Sequence, residues 1–85
     1  MKKGEAKVGM AVHVTNLDYM VGVNIPISMS EIRKIGVYGV ITAFVSGYNR
    51  NVCLVRQIGS LRIGMFSYLE LKHVNVQTES IEELK

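Results

Sequence analysis

Apolar and polar residues alternate along the first part of the chain. Across residues 8–15, Val8, Met10, Val12 and Val14 all fall on one side of an extended segment. A period of two is typical of a half-buried β-strand, because successive side chains point to opposite faces of a sheet. We therefore predict the first strand over residues 8–15.

Four more segments have strand character. Residues 36–45 are apolar on both faces, which favours a central second strand. A hairpin turn is predicted over 46–51, where Gly47 and Asn49 accept positive φ. The third strand is predicted over residues 52–57 and turns at 58–60. The fourth spans 61–65 and the last 72–76, and we expect three fourth-strand side chains to point inward: Leu61, Ile63 and Met65.

The long first loop (residues 16–36) has no sustained period and contains the only proline, Pro26. Residues 28–34 fit one helical turn, with Ser28 as the cap and Glu31 completing a capping box. A loop of this length inside a small domain is either functional or contains further structure.

Together these segments predict a mainly all-β fold, a five-stranded small barrel. It has a long first loop and a single helical turn at residues 67–71 before the last strand. Closing the sheet into a barrel removes exposed strand edges. We expect a flexible basic N-terminus at residues 1–7, the barrel over 8–76, and an acidic tail, helical or frayed, over 77–85.

Three stretches resemble SH3-like small barrels, and KOW-type barrels of transcription-elongation and ribosomal proteins in particular. They are residues 8–14 (VGMAVHV), the glycine-bearing approach at 36–41 (GVYGVI) and the closing 66–71 (FSYLEL). The resemblance implies that Gly39 opens the second strand and that the turn at 67–71 leads into the last strand. This chain departs from the pattern in its longer, more apolar first loop.

Peptide-binding SH3 domains would require acidic residues in that loop and a tryptophan after the second hairpin. The loop has only Asp18 and Glu31, and the chain has no tryptophan. Recognition of polyproline is therefore not expected.

The composition is apolar for a small chain: 48% of the 85 residues are hydrophobic. A domain of this size buries only roughly 60% of the surface of its unfolded chain. Some apolar surface is therefore expected outside, where contiguous patches mark partner or self-association sites. The formal net charge is +3; residues 77–85 contribute −2, so residues 1–76 carry +5.

The first candidate surface is the apolar part of the first loop. Tyrosine and methionine beside glycine suit a protein contact, because they bury much area and repack readily. The alternative is that these side chains fold down and cap an undersized barrel. The predicted protein-binding residues are Tyr19, Met20, Val21, Val23, Ile25, Ile27 and Met29.

The second candidate surface is basic. Arginines at a hairpin tip and on the next two strands, with a tyrosine nearby, would suit phosphate contact and base stacking. The alternative is a solvated face that keeps an apolar protein in solution. The nucleic-acid-binding residues predicted on this hypothesis are Tyr48, Arg50, Arg56, Arg62, Arg33 and Lys34.

No catalytic, metal or cofactor site is predicted. His13 and His73 alternate with apolar neighbours and are expected to point outward, with no acid or nucleophile at an orienting spacing. Cys53, the only cysteine, lies among apolar residues and is expected to be an inert buried thiol. We expect a cytoplasmic protein, since there is no signal sequence, membrane span or disulfide.

The sequence thus favours a non-catalytic adaptor, inhibitor or regulator that holds a protein partner or another copy through the first loop. The alternative is a KOW-like nucleic-acid-binding barrel. Small size and positive charge would also suit a phage-encoded regulator or a subunit of a larger assembly.

Overall fold

The computed structural model describes residues 4–47 and 52–74. They form a mostly β structure with five strands and two single-turn 3-10 helices, which confirms the predicted class. The strands are β1 (Ala11–Val14), β2 (Tyr38–Val45), β3 (Val52–Gln57), β4 (Ile63–Ser67) and β5 (Leu71–His73); the 3-10 turns are η1 (Ile27–Met29) and η2 (Tyr68–Glu70).

All strand pairs are antiparallel, in the order β4-β3-β2-β1-β5. Strands β4 and β5 are the two edges, so the sheet is open in its hydrogen bonding over the described residues. Closure into a barrel therefore remains a prediction. Within the same part of the chain, no helix is long and apolar enough to cross a bilayer.

The predicted strands are present, with shorter or shifted ends at several positions. The bounds of β3 agree with the prediction, whereas β1 begins only at Ala11. Before it, Gly9 turns the chain with φ of 89°, a conformation that glycine adopts without steric cost. Val8 is consequently 61% exposed, while Val12 and Val14 are buried.

Gly39 is the second residue of β2, where the backbone approaches β3 closely. A Cβ there would lie 2.6 Å from the carbonyl oxygen of Arg56 and would also meet a methyl of Val55. The strand at this point therefore needs glycine for close approach, since no side chain fits.

The prediction for β4 was wrong in its bounds and in two of its inward residues. Leu61 lies in the preceding turn and is 86% exposed, and Ile63 is 36% exposed. The register explains this, because Ile63 pairs with the exposed Arg56 and shares its side of the sheet. The inward residue that the sequence analysis overlooked is Phe66, opposite Cys53; both are fully buried.

The helical turn in the first loop was also placed incorrectly. The turn is η1 at Ile27–Met29, preceded by Pro26, with no side-chain cap. Ser28 lies inside it and so does not serve as its cap. The predicted turn at 67–71 is confirmed as η2, where Ser67 and Glu70 form a complete capping box.

Two apolar clusters lie on opposite sides of the sheet. The larger joins inward residues of all five strands with Ile32 from the first loop. It consists of Val12, Val14, Ile32, Ile41, Cys53, Val55, Phe66 and Leu71. The smaller contains Met20, Val52 and Met65, with Val23, Ile25, Met29, Val45 and Leu54 packed around them. The first loop therefore crosses the sheet and covers part of its second side.

Candidate binding surface

The side of the sheet that faces away from the larger cluster is defined here as the outer face. Paired residues on neighbouring antiparallel strands project to the same side, so the register gives its rows directly. One row runs Ala11–Val40–Arg56–Ile63 across four strands. The next row contains Lys72, His13 and Tyr38.

The first loop divides the outer face into two halves. The covered half consists of Val45, Val52, Leu54 and Met65, beneath the loop. The open half carries no such cover among the described residues, and several of its apolar side chains are exposed. It consists of His13, Tyr38, Val40, Arg56, Ile58, Leu61, Ile63 and Lys72.

A groove of about 490 Å³ lies in the open half. It runs from Val40 and Arg56 to the turn after β3, where Ile58 and Leu61 are exposed by 56% and 86%. This groove is the concave part of an apolar surface, and Arg56 is among the residues that line it.

An aromatic pair extends the open half toward β1. The rings of His13 and Tyr38 stack with centroids 5.2 Å apart and planes 14° from parallel. The two residues are directly paired across β1 and β2, and Tyr38 remains 51% exposed. Stacked cross-strand rings hold each other in place and present a flat, rigid surface.

None of the five strands contains an aspartate or glutamate. The cations of the open half, Arg56 and Lys72, therefore have no carboxylate beside them on the sheet. The surface is apolar with isolated positive charges.

The first loop supports both interpretations made from the sequence. Met20 is buried, and Val23, Ile25 and Met29 are half-buried over the covered half. Those four side chains cap the sheet. Tyr19, Val21 and Ile27 are exposed by 47%, 74% and 83%, so these three are the most accessible of the predicted contacts.

The four described members of the predicted basic set are not gathered on one surface. Arg56 lies in the open half, Lys34 is exposed in the first loop, and Arg62 contacts Glu31 at 3.7 Å between two solvated side chains. Arg33 donates hydrogen bonds to the buried carboxylate of Glu70. Tyr48 and Arg50 lie outside the described residues.

Arg33 and Glu70 form a buried, two-pronged ion pair that the sequence analysis missed. Both guanidinium nitrogens donate to the carboxylate oxygens at 2.8 Å. The side chains are 11% and 0% exposed. Arg33 also donates to the carbonyl of Met65 at 2.8 Å and lies 5.1 Å from the ring centre of Phe66.

The carboxylate of Glu70 accepts two further hydrogen bonds from the backbone. The Ser67 N–H donates at 3.0 Å and the Tyr19 N–H at 3.2 Å. Tyr19 and Arg33 stand at the two ends of the segment that crosses the sheet, so one buried carboxylate anchors both ends. Arg33 also caps a carbonyl on the outer edge of β4. The network therefore holds the loop in place and protects that edge from pairing with another strand.

The Cys53 thiol is fully buried in the larger cluster. Burial, and secondarily the negative charge of Glu70, raises the pKa of this thiol from 9.0 to about 12. The predicted burial of this cysteine is confirmed; since only the thiolate is an effective nucleophile, its inertness stays a prediction.

His13 is half-buried against Tyr38, and His73 is exposed on the edge strand. Over residues 4–47 and 52–74, no three His, Cys, Asp or Glu side chains cluster in a way that would hold a metal ion.

No protein-family model, curated protein or solved structure matches the chain. What is established is a small all-β domain with a five-stranded antiparallel sheet. The resemblance to SH3-like and KOW-type barrels rests on the sequence motifs alone.

Proposed function

We propose that the protein is a non-catalytic binding module, built as an SH3-like small barrel, that engages a protein partner through the open half of the outer face. The observation that carries the proposal is the division of this face. One half is buried under the first loop, whereas the other presents a groove with Ile58, Leu61 and Ile63 exposed.

Physical chemistry favours a protein in this position. Covering contiguous exposed apolar surface with a partner favours binding by roughly 25 cal/mol per Å² of apolar area removed from water. Aromatic residues and arginine are enriched at the centres of protein interfaces, and Tyr38 and Arg56 supply both here. The exposed side chains of Tyr19, Val21 and Ile27 in the first loop add a second contact area.

The SH3-like interpretation is supported by the strand order and by η2. The last strand pairs with the first, and a single 3-10 turn capped by Ser67 leads into it. These features accompany the motifs that carry the resemblance. The proposed setting is the cytoplasm, which suits a chain with one unpaired cysteine.

Nucleic-acid binding is a second candidate, favoured by one observation. The stacked His13–Tyr38 pair lies on the same face as Arg56 and Lys72. An exposed ring beside isolated cations is an arrangement that stacks bases and contacts phosphates. Apolar side chains outnumber cations on this surface, and Arg33 is withdrawn into its ion pair, so a protein is the preferred partner.

The test is photo-crosslinking of the full chain in extract of its own cells, with a benzoylphenylalanine replacing Ile63. Ile35 is the matched control, because it is also an isoleucine, is 68% exposed and lies outside the sheet. We expect a discrete, protease-sensitive adduct from position 63, absent from position 35 and lost on Arg56→Glu. An adduct removed by nuclease would favour the second candidate. Equal adducts from both positions, or none, would contradict both.

A further inference from the structure

The acidic segment (residues 77–85) matches the open half in charge and in apolar character. It reads Gln-Thr-Glu-Ser-Ile-Glu-Glu-Leu-Lys and lies outside the described residues. Glu79, Glu82 and Glu83 complement a face whose strands carry no carboxylate. Ile81 and Leu84 are three positions apart, which places them on one side of a helical turn.

The last described residue leaves the sheet where the main row of the outer face begins. The Val74 N–H donates to the carbonyl of Ala11 at 2.9 Å. Ala11 starts the row that continues through Val40 to Arg56 and Ile63. The chain beyond Val74 therefore starts beside the open half.

The chain is long enough to reach this surface. Arg56 lies three strand spacings from Val74, across β1 and β2, or roughly 14 Å at ~4.8 Å per spacing. Glu79 follows Val74 by five residues, and an extended chain covers up to ~3.4 Å per residue, or roughly 17 Å. Glu79 can thus meet Arg56 without strain, with Ile81 and Leu84 beyond it toward Ile58, Leu61 and Ile63.

We propose that the acidic segment docks on the open half of the outer face of its own chain and competes there with the protein partner. The surface of the partner would then resemble the acidic segment, with apolar side chains flanked by carboxylates. This inference rests on the proposed function, since it takes the open half as the binding surface. Docking within one chain needs no second molecule, so a weak contact gains from the high local concentration of a tethered segment.

The test is paramagnetic relaxation in the full, isotopically labelled chain. A nitroxide is attached at Ser80→Cys; the buried Cys53 thiol does not compete for the label. We expect amide signals of Tyr38, Arg56 and Ile63 to lose most of their intensity. Signals of Val45 and Val52, in the covered half at the far end of the strands, should keep theirs.

Two segment variants sharpen the result. Ile81→Ser with Leu84→Ser, or Glu79→Gln with Glu82→Gln and Glu83→Gln, should restore the lost intensity, and added salt should mimic the second set by screening the charges. Lys85→Gln is the matched control, because it alters a charge of the opposite sign; it should leave the broadening in place.

Broadening that is equal over both halves, or that survives Ile81→Ser with Leu84→Ser, would overturn the inference. A mixture of nitroxide-bearing chains with isotopically labelled chains that carry no nitroxide tests contact between copies. Broadening in the chains without nitroxide would also overturn the inference, in favour of a second copy as occupant. The crosslinking from position 63 is read separately. A partner adduct without relaxation effects would leave the proposed function standing and remove only the docked segment.

Discussion

The two halves of the outer face belong to the same strands and yet have opposite environments. In β4, Ile63 and Met65 both project to this side, but Ile63 is 36% exposed and Met65 only 5%. In β3 the corresponding neighbours are Arg56 and Leu54. The difference comes from the first loop, which packs on one half and ends before the other. The alternation along a strand determines the side of the sheet on which each side chain lies. Whether that side chain is exposed to solvent depends on the segment that packs over it.

The covering loop in turn depends on one buried carboxylate, and removing it should have the largest effect on stability. Glu70→Gln leaves Arg33 without a counter-charge, and breaking a buried ion pair typically costs about 3–5 kcal/mol. We expect urea denaturation to show a loss of this size, with increased proteolysis of the first loop.

The control is Arg33→Met with Glu70→Leu, which removes both charges at once. Replacing a buried pair by apolar residues is often neutral, so the double variant should recover much of the loss. A cost of Glu70→Gln well under about 1 kcal/mol, as for an exposed pair, would show that the pair does not hold the loop.

Truncating one residue in each half compares them directly. Met65→Ala should lower the free energy of unfolding by about 2–5 kcal/mol, because it leaves a cavity under the loop. Ile63→Ala, two residues away on the same strand, should cost much less, since its side chain is already partly solvated. Thermal unfolding with denaturant titration measures both, and similar losses for the two variants would contradict the division of the face.

The pH dependence of stability at alkaline pH tests the burial of Cys53, which lies on the side of β3 opposite the first loop. The pKa of Cys53 is raised to about 12 in the folded protein, so the unfolded chain releases this proton first as pH rises. The associated stability is present below pH 9 and is lost between pH 9 and 12. We therefore expect the difference in free energy of unfolding between the native chain and Cys53→Ala to decline as pH rises from 9 to 12.

The same thiol should react with Ellman's reagent only as fast as the protein unfolds. Labelling that accompanies opening of the first loop alone would show that the covered half also protects Cys53, which lies on the other side of the sheet. A flat pH difference between native chain and Cys53→Ala would argue that the thiol is not buried.

The smallest change in stability is expected in the open half itself. Leu61→Ser, at a side chain that is 86% exposed, should stay within about 0.5 kcal/mol of the native chain, as surface substitutions usually do. It should nonetheless reduce crosslinking from position 63. Loss of folding in this variant would mean that the open half is part of the core.

Much of the architecture was readable from local signals. Short-range preferences predicted three features correctly. These are the apolar run at β3, the alternation around Val12 and Val14, and the closing turn at 67–71. The capping-box spacing, however, occurs twice within the described residues, at Ser28–Glu31 and Ser67–Glu70, and only the second forms one. At the first, Pro26 occupies the cap position, so the 3-10 turn begins two residues too early for Ser28 to cap it.

The candidate site was only partly readable. The apolar first loop was predicted to be a protein-contact surface or a cap. Met20 is buried over the sheet, as in a cap, whereas Ile27 is exposed, and protein contact stays a prediction. The predicted basic set included Arg33, whose guanidinium binds a buried carboxylate in the structure. Its partner lies 37 residues away, and no periodicity indicates which carboxylate is buried; the spacing from Ser67 to Glu70 was the available signal.

The sequence by itself determined that the chain is mostly β, where most of its strands lie, and that Cys53 is buried. These properties follow from side-chain period, turn chemistry and local apolar context, which act over a few residues. Only the tertiary structure decided that Glu70 is buried with Arg33 and that Leu61 and Ile63 face outward. It alone divided the outer face into a covered and an open half. Those outcomes depend on strand register and on the path of the first loop, which are set by contacts between residues far apart in the chain.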